Sequence, residues 1–207
     1  MCHSYESCHF LEKRMPLPII IGAGVAALAA NHIYREDLRK QDNQRQRGFK
    51  PNDAIGRYPC DALPSQYRSS LRVGSIACCE VYNGFYHAGL VVDDNAILEL
   101  HGSGLSRIVS AQRFLQTRSG KRIYVASNIS ASALSFDIDE QRVSEEIYRY
   151  YDYHVTRTNC YFHTWYAITG ETKRFASFEE FNNSISQLIG SAIYWDPIEE
   201  QGEKVPR

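Results

Sequence analysis

The chain reads as an α+β protein in which an antiparallel sheet precedes a group of helices. Two observations lead there. Apolar runs of strand length, joined by short turns, fill residues 73–101, and the apolar period becomes helical after residue 136. Strands and helices are segregated along the chain rather than interleaved, which argues against an alternating parallel sheet.

"VGSIACCEVY" (73–82) predicts a strand, and Asn83-Gly84 is a hairpin turn signal. "FYHAGLVV" (85–92) predicts a second strand, residues 93–95 a turn, and "AILELH" (96–101) a third strand ended by Gly102-Ser103-Gly104. "SRIVSAQRFLQ" (106–116) holds a short strand or helix, and "KRIYVAS" (121–127) a further strand. Between 136 and 153, Val143, Ile147, Tyr150 and Tyr151 fall on one helical face, and Asp137 or Asp139 can cap its start. "CYFHTWYAI" (160–168) predicts a second helix closed by Gly170. Residues 177–193 predict a third, with Ser177 and Glu180 in capping-box spacing.

The 207 residues suit one domain with extra segments, and 43% hydrophobic content is enough for a real core. Lys and Arg total 23 against 24 Asp and Glu, so no field for wrapping nucleic acid is present, and no basic stripe with interleaved aromatics occurs. The six cysteines do not space as a disulfide framework, which points to reducing surroundings for the folded part. Cys78 and Cys79, adjacent on a strand, point to opposite faces and make poor partners. "CHSYESCH" (2–9) offers two Cys-His pairs, but no second half of a zinc site follows, so neither a metal nor another cofactor is expected.

Residues 1–15 read as a disordered leader. Residues 16–34, "PLPIIIGAGVAALAANHIY", carry no acidic or basic residue. As a helix they would span about 28 Å, close to the hydrocarbon thickness of a bilayer. A transmembrane anchor is the first reading and a cleaved signal peptide the second. "IIIGAGVAALAA" also matches a dinucleotide-binding fingerprint, but no second parallel strand or ribose-binding carboxylate follows. Residues 35–70 read as a linker, 71–195 as the folded domain, and 196–207 as a polar tail.

"TRTNCYFHTWYAITG" (156–170) places Cys160 at the predicted start of a helix, behind Asn159, a good N-cap residue. Unpaired backbone N–H groups and the positive end of the helix dipole stabilise a thiolate there. A nucleophilic thiol needs a base, and His87 on the second strand is the candidate. Glu99 and His101 share its face: His101 lies directly opposite across the turn, Glu99 one diagonal step away. Either can orient the imidazole. The competing reading is plain packing for Cys160 and local hydrogen bonding for His87.

"VGSIACCEVYNGFYHAGLVVDDNAILELHGSG" followed by "TNCYFHTWYAITG" resembles the lecithin:retinol acyltransferase family and the wider circularly permuted papain-like cysteine hydrolases over residues 71–170. Histidine precedes cysteine, and the sheet precedes the cysteine helix, as in those proteins. The resemblance implies a permuted papain-like fold with His87 as general base and Cys160 as acylated nucleophile. It places the third polar residue, twelve positions after the histidine, at Glu99. Asn-Cys-Tyr-Phe-His stands here in place of that family's Asn-Cys-Glu-His-Phe, and Val73 and Ser75 replace its Pro and Asp. The resulting expectation is a membrane-tethered thiol acyltransferase or hydrolase acting on lipid ester or amide groups. Cleavage of a peptide or isopeptide bond is the close alternative, and a catalytically inactive membrane-anchored interaction domain the alternative of another class.

Overall fold

The computed structural model describes residues 54–82 and 85–198. Six strands form one sheet: β1 (Ile76–Val81), β2 (Phe85–Asp93), β3 (Ala96–Leu100), β4 (Ser106–Ser110), β5 (Ile123–Ser127) and β6 (Tyr194–Pro197). Their order is β4-β3-β2-β1-β5-β6, with every neighbouring pair antiparallel. Among the described residues four helices accompany them: α1 (Ala111–Leu115), α2 (Glu140–Glu146), α3 (Cys160–Thr169) and α4 (Phe178–Ile189). The protein is therefore α+β, with its sheet built largely before its helices.

The period of two along β1 sorts its side chains between two cores. Ile76 and Cys78 face the larger core with Ala88, Leu90, Trp165, Phe181, Ile185 and Trp195. Ala77 and Cys79 face the smaller one with Val91, Ile97 and Phe114. The adjacent cysteines thus separate as their strand position requires, and Cys60, Cys78, Cys79 and Cys160 are all free thiols. Gly89 stands where the second face is tightest. A Cβ there would lie 2.7 Å from Ile97 Cγ2 and 2.8 Å from the Leu98 carbonyl oxygen.

Each helix starts on a side-chain cap. Ser110, Asp139, Asn159 and Ser177 accept from the N–H groups of Arg113, Arg142, Phe162 and Glu180. Gly170 and Gly190 close α3 and α4 in the left-handed conformation. Residues 106–116 supply a strand followed by a helix, where the sequence predicted one or the other. The helix expected across 136–153 is only α2: Tyr148 takes φ 64°, and Tyr150 projects into solvent. The helix expected to reach 193 stops at Gly190, and the chain returns to the sheet as β6.

The domain boundaries shift outward. Residues 54–70, expected to be linker, pack on the sheet: Ile55 bridges to Ile193, Ser69 bridges to Ile198, and Cys60 and Ser65 are buried. At the other end Asp196, expected in the tail, is fully buried and accepts from the Ser127 hydroxyl. Trp195 beside it donates from Nε1 to Asn182 Oδ1 at 2.9 Å. The leader and the apolar run of 16–34 lie outside the described residues. Among the described residues no helix is long and apolar enough to cross a membrane.

A chain beginning at Leu71 is expected to melt well below one beginning at Ala54. It loses the bridges to Ile193 and Ile198 and uncovers apolar surface on the sheet, at about 25 cal/mol per Å² exposed. Equal melting temperatures for the two chains would restore the linker reading.

Candidate active site

Cys160 is the first residue of α3, and it is buried. Its place follows from Asn159. The Asn159 Oδ1 accepts from the Phe162 N–H at 3.0 Å, while Nδ2 donates to the carbonyls of Val155 and Phe175 at 2.7 Å each. One side chain therefore caps the helix and ties it to the chain on both sides. Pairing of β2 with β3 runs from Asp93–Ala96 to Leu90–Leu98. Beyond it the β2 backbone meets α3: the Tyr161 hydroxyl donates to the Tyr86 carbonyl at 2.6 Å, and the Cys160 sulfur lies 4.0 Å from the same oxygen. The Ala88 N–H also faces the sulfur. The thiol is thus seated on the two residues that flank His87.

The imidazole of His87 projects the other way. It packs on Phe114 of the smaller core, with ring centroids 5.1 Å apart, and makes no hydrogen bond to Cys160. Its Nε2 lies 2.8 Å from Glu99 Oε2. Glu99 is completely buried and carries three partners: His87, Arg107 through Nε and Nη2 at 2.9 Å each, and Arg118 through Nη2 at 2.6 Å. His101 stands just beyond β3 and turns to Ser103, with Nδ1 2.9 Å from its hydroxyl. The imidazole is held by Glu99 and not by His101, because the diagonal neighbour has the reach and the direct one has a closer partner.

The charges set the proton positions. Burial alone pushes the Glu99 carboxyl up, but His87, Arg118 and Arg107 overcome it and hold it at about 2. Glu99 is then an acceptor only, so His87 Nε2 must donate and Nδ1 carries the lone pair. His87 itself is held below its ordinary value: burial disfavours the cation, and Arg118 adds to that against the pull of Glu99. Burial also pushes the Cys160 thiol up to about 11, against the opposing pull of nearby N–H groups and Arg118. The resting pair is a neutral imidazole and a protonated thiol.

The site contains residues that sequence reasoning missed. Arg107 is registered opposite Glu99 in the β3–β4 ladder and would have emerged from strand pairing. Arg118 follows α1, and no periodicity points to it. Cys79 is directly across from His87 on β1. His163, one turn after Cys160 on α3, belongs to a separate buried network. Its Nε2 lies 2.8 Å from Ser106 Oγ and 3.2 Å from Glu146 Oε2, and Glu146 also takes Arg149 and the Tyr151 hydroxyl. This network fastens α3 to β4 and α2. Among the described residues no cluster of His, Cys, Asp or Glu is arranged to hold a metal ion.

Glu99→Gln is expected to cost about 3 kcal/mol of stability, because it leaves two guanidinium groups facing a neutral amide. The folded carboxyl lies near 2 against an ordinary 4.5, so its contribution is complete above pH 4.5 and is lost as pH falls toward 2. Acid-unfolding curves of Glu99→Gln are expected to lack that part of the pH dependence. An unchanged curve would show that the carboxylate does not carry it. No family model, curated protein or solved structure matches this chain, so the functional reading rests on this geometry and on the motif likeness.

Proposed function

We propose that this protein is a cysteine-dependent acyltransferase or hydrolase of permuted papain-like fold, working through an acyl-enzyme on Cys160. The observation that carries the reading is the seat of Cys160: first residue of a capped helix, against the β2 residues on either side of a histidine whose Nε2 is held by a buried carboxylate. That arrangement leaves Nδ1 as the basic nitrogen, and Nδ1 makes no hydrogen bond among the described residues.

In the reaction the thiol proton passes to His87 Nδ1, a transfer that requires the imidazole to leave its resting seat on Phe114, and the sulfur bonds to the acyl carbon of an ester or amide. Collapse of the adduct breaks the bond to the leaving oxygen or nitrogen, which takes the proton from His87. Water, an alcohol or an amine then gives its proton to His87 and accepts the acyl group, restoring the thiol. The N–H groups of the first turn of α3 are the donors for the developing oxyanion. Glu99 keeps the imidazole in the reactive tautomer. The substrate class follows the motif likeness and the apolar run of 16–34: lipid acyl groups first, peptide or isopeptide bonds second, with a membrane anchor holding the domain at its substrate.

A second reading has its own observation. The thiol is buried and held up at about 11, and it is not bonded to His87, as suits a packing residue in a non-catalytic interaction domain.

Incubation with a lipid extract or a peptide pool is expected to add one acyl mass to the intact protein, located at Cys160. Cys160→Ser is expected to lose thioester formation with the fold intact, and His87→Ala to lose at least about a hundredfold in rate. Limiting iodoacetamide at about pH 6.5, below the ordinary thiol pKa, is expected to label Cys160 ahead of Cys60, Cys78 and Cys79. No adduct and no preferential labelling would establish the packing reading.

A further inference from the structure

The five most exposed large apolar side chains among the described residues are Tyr82, Phe85, Tyr148, Tyr150 and Val155, each with 70% or more of its surface in water. They come from two stretches far apart in sequence, and the fold brings all five to one end of the sheet. Tyr82 and Phe85 flank the β1–β2 turn, where Val81 pairs with Phe85. Tyr148 and Tyr150 run beside the start of β4: the Tyr148 N–H donates to the Ser106 carbonyl at 2.9 Å, and Tyr150 bridges to Leu105. Ser106 is registered with Leu100, the last residue of β3, and β3 runs antiparallel to β2, so both stretches share the Phe85 end. The Val155 carbonyl accepts from the Asn159 cap of α3 at 2.7 Å, next to the Cys160 sulfur that lies on the Tyr86 carbonyl. β1 and β4 are three strand spacings apart, so the group spans about 14 Å.

Local folding does not ask for these side chains. Tyr82 and Tyr148 take φ 47° and 64°, left-handed backbone where glycine or asparagine costs less than an aromatic residue. Exposed rings held in strained turns point to contact with another surface. Charge identifies that surface. Lys121 and Arg157 are exposed at the same end, Lys121 beside the hairpin, where Ser119 Oγ accepts from the Tyr82 N–H at 2.7 Å. Of the carboxylates there, Glu80, Glu99 and Glu146 are buried, Asp61 accepts from the Lys121 N–H and the Tyr124 hydroxyl, and Asp152 is exposed. At the opposite end Asp93 and Asp94 follow Val91, and the Phe136 N–H donates to the Gly74 carbonyl, bringing Asp137 and Glu140 alongside. There the carboxylates outnumber Arg72. The domain is aromatic and basic at one end and acidic at the other.

We infer that this end of the folded domain docks on an anionic lipid bilayer, its exposed rings and Val155 entering the headgroup layer and Lys121 and Arg157 facing lipid phosphates. Tyrosine suits that layer because one end of it is apolar and the other wet, and lysine and arginine gain from the negative surface potential. Nucleic acid fits less well: 23 basic against 24 acidic residues give the chain no field for a polyphosphate. The docking surface lies outside the apolar run of 16–34, and it is independent of the acyl chemistry proposed for Cys160. It adds an orientation, with the start of α3 toward the bilayer and the acidic end toward water.

The test uses the full-length chain carrying Phe85→Trp, because the native Trp165 and Trp195 are buried and give a constant background. Vesicles of phosphatidylcholine are compared with vesicles of equal parts phosphatidylcholine and phosphatidylserine, each also made with brominated acyl chains. The introduced indole is expected to shift to the blue and to be quenched by brominated anionic vesicles, while an indole introduced by Val73→Trp at the acidic end stays unquenched. Lys121→Gln and Arg157→Gln are each expected to raise the anionic lipid concentration for half-maximal quenching about fivefold. Tyr148→Asn is expected to raise it about tenfold without lowering the melting temperature, because asparagine tolerates the left-handed backbone. Flotation with both kinds of vesicle while neither indole is quenched overturns the inference and leaves attachment to the run of 16–34. Equal quenching of the two indoles overturns the orientation and with it the inference. A blue shift produced by a single-stranded oligonucleotide and by no vesicle makes the face a nucleic-acid site and overturns it as well. No attachment to either vesicle overturns both this surface and the anchor.

Discussion

The ionised carboxylate of Glu99, taken wholly out of water, is the constraint around which the site is organised. An anion in that position is tolerable only when its lone pairs are filled by charged or strongly polarised donors. Here they are filled from β2, β4 and the turn after α1, so one side chain on β3 joins three other parts of the chain. The same bonds decide which nitrogen of His87 carries its proton. Structure and proton chemistry are consequences of one burial.

The helix that carries Cys160 is held with similar economy. Asn159 caps its start and anchors the neighbouring loops, Tyr161 reaches the β2 backbone, and the Glu146–His163–Ser106 network fastens its flank. All three contacts act on the first turn or just beyond it. The thiol is therefore located by the backbone of α3 and β2, not by a bond to His87. The sulfur is seated beside the strand that bears His87, and burial keeps its proton on.

The two sheet faces explain the difference between the helices. The larger core needs α3 and α4 to cover aromatic and aliphatic side chains from five strands. The smaller face is closed largely by Phe114, and its remaining space holds the Glu99 cluster. A polar centre survives there because Phe114 shields it on one side and the arginines satisfy it on the other.

Much of this was legible in the amino-acid order. Strand periodicity located β1, β2, β3 and β5, the capping residues located three helices, and strand alternation put Glu99 on the face of His87. Those features are local: they depend on alternation, turn chemistry and backbone N–H groups within a few residues. Other features were not. The choice between Glu99 and His101 depended on which side chain found a competing partner, and Ser103 drew His101 away. Arg118 entered the site through the path of the chain after α1, which no sequence period encodes. Residues 54–70 and 196–198 looked like linker and tail because their pairing partners are distant in sequence. The sequence by itself determined where most strands and helix starts lie; the tertiary structure decided which faces their side chains share, because pairing between distant segments is settled by packing and burial, not by local propensity.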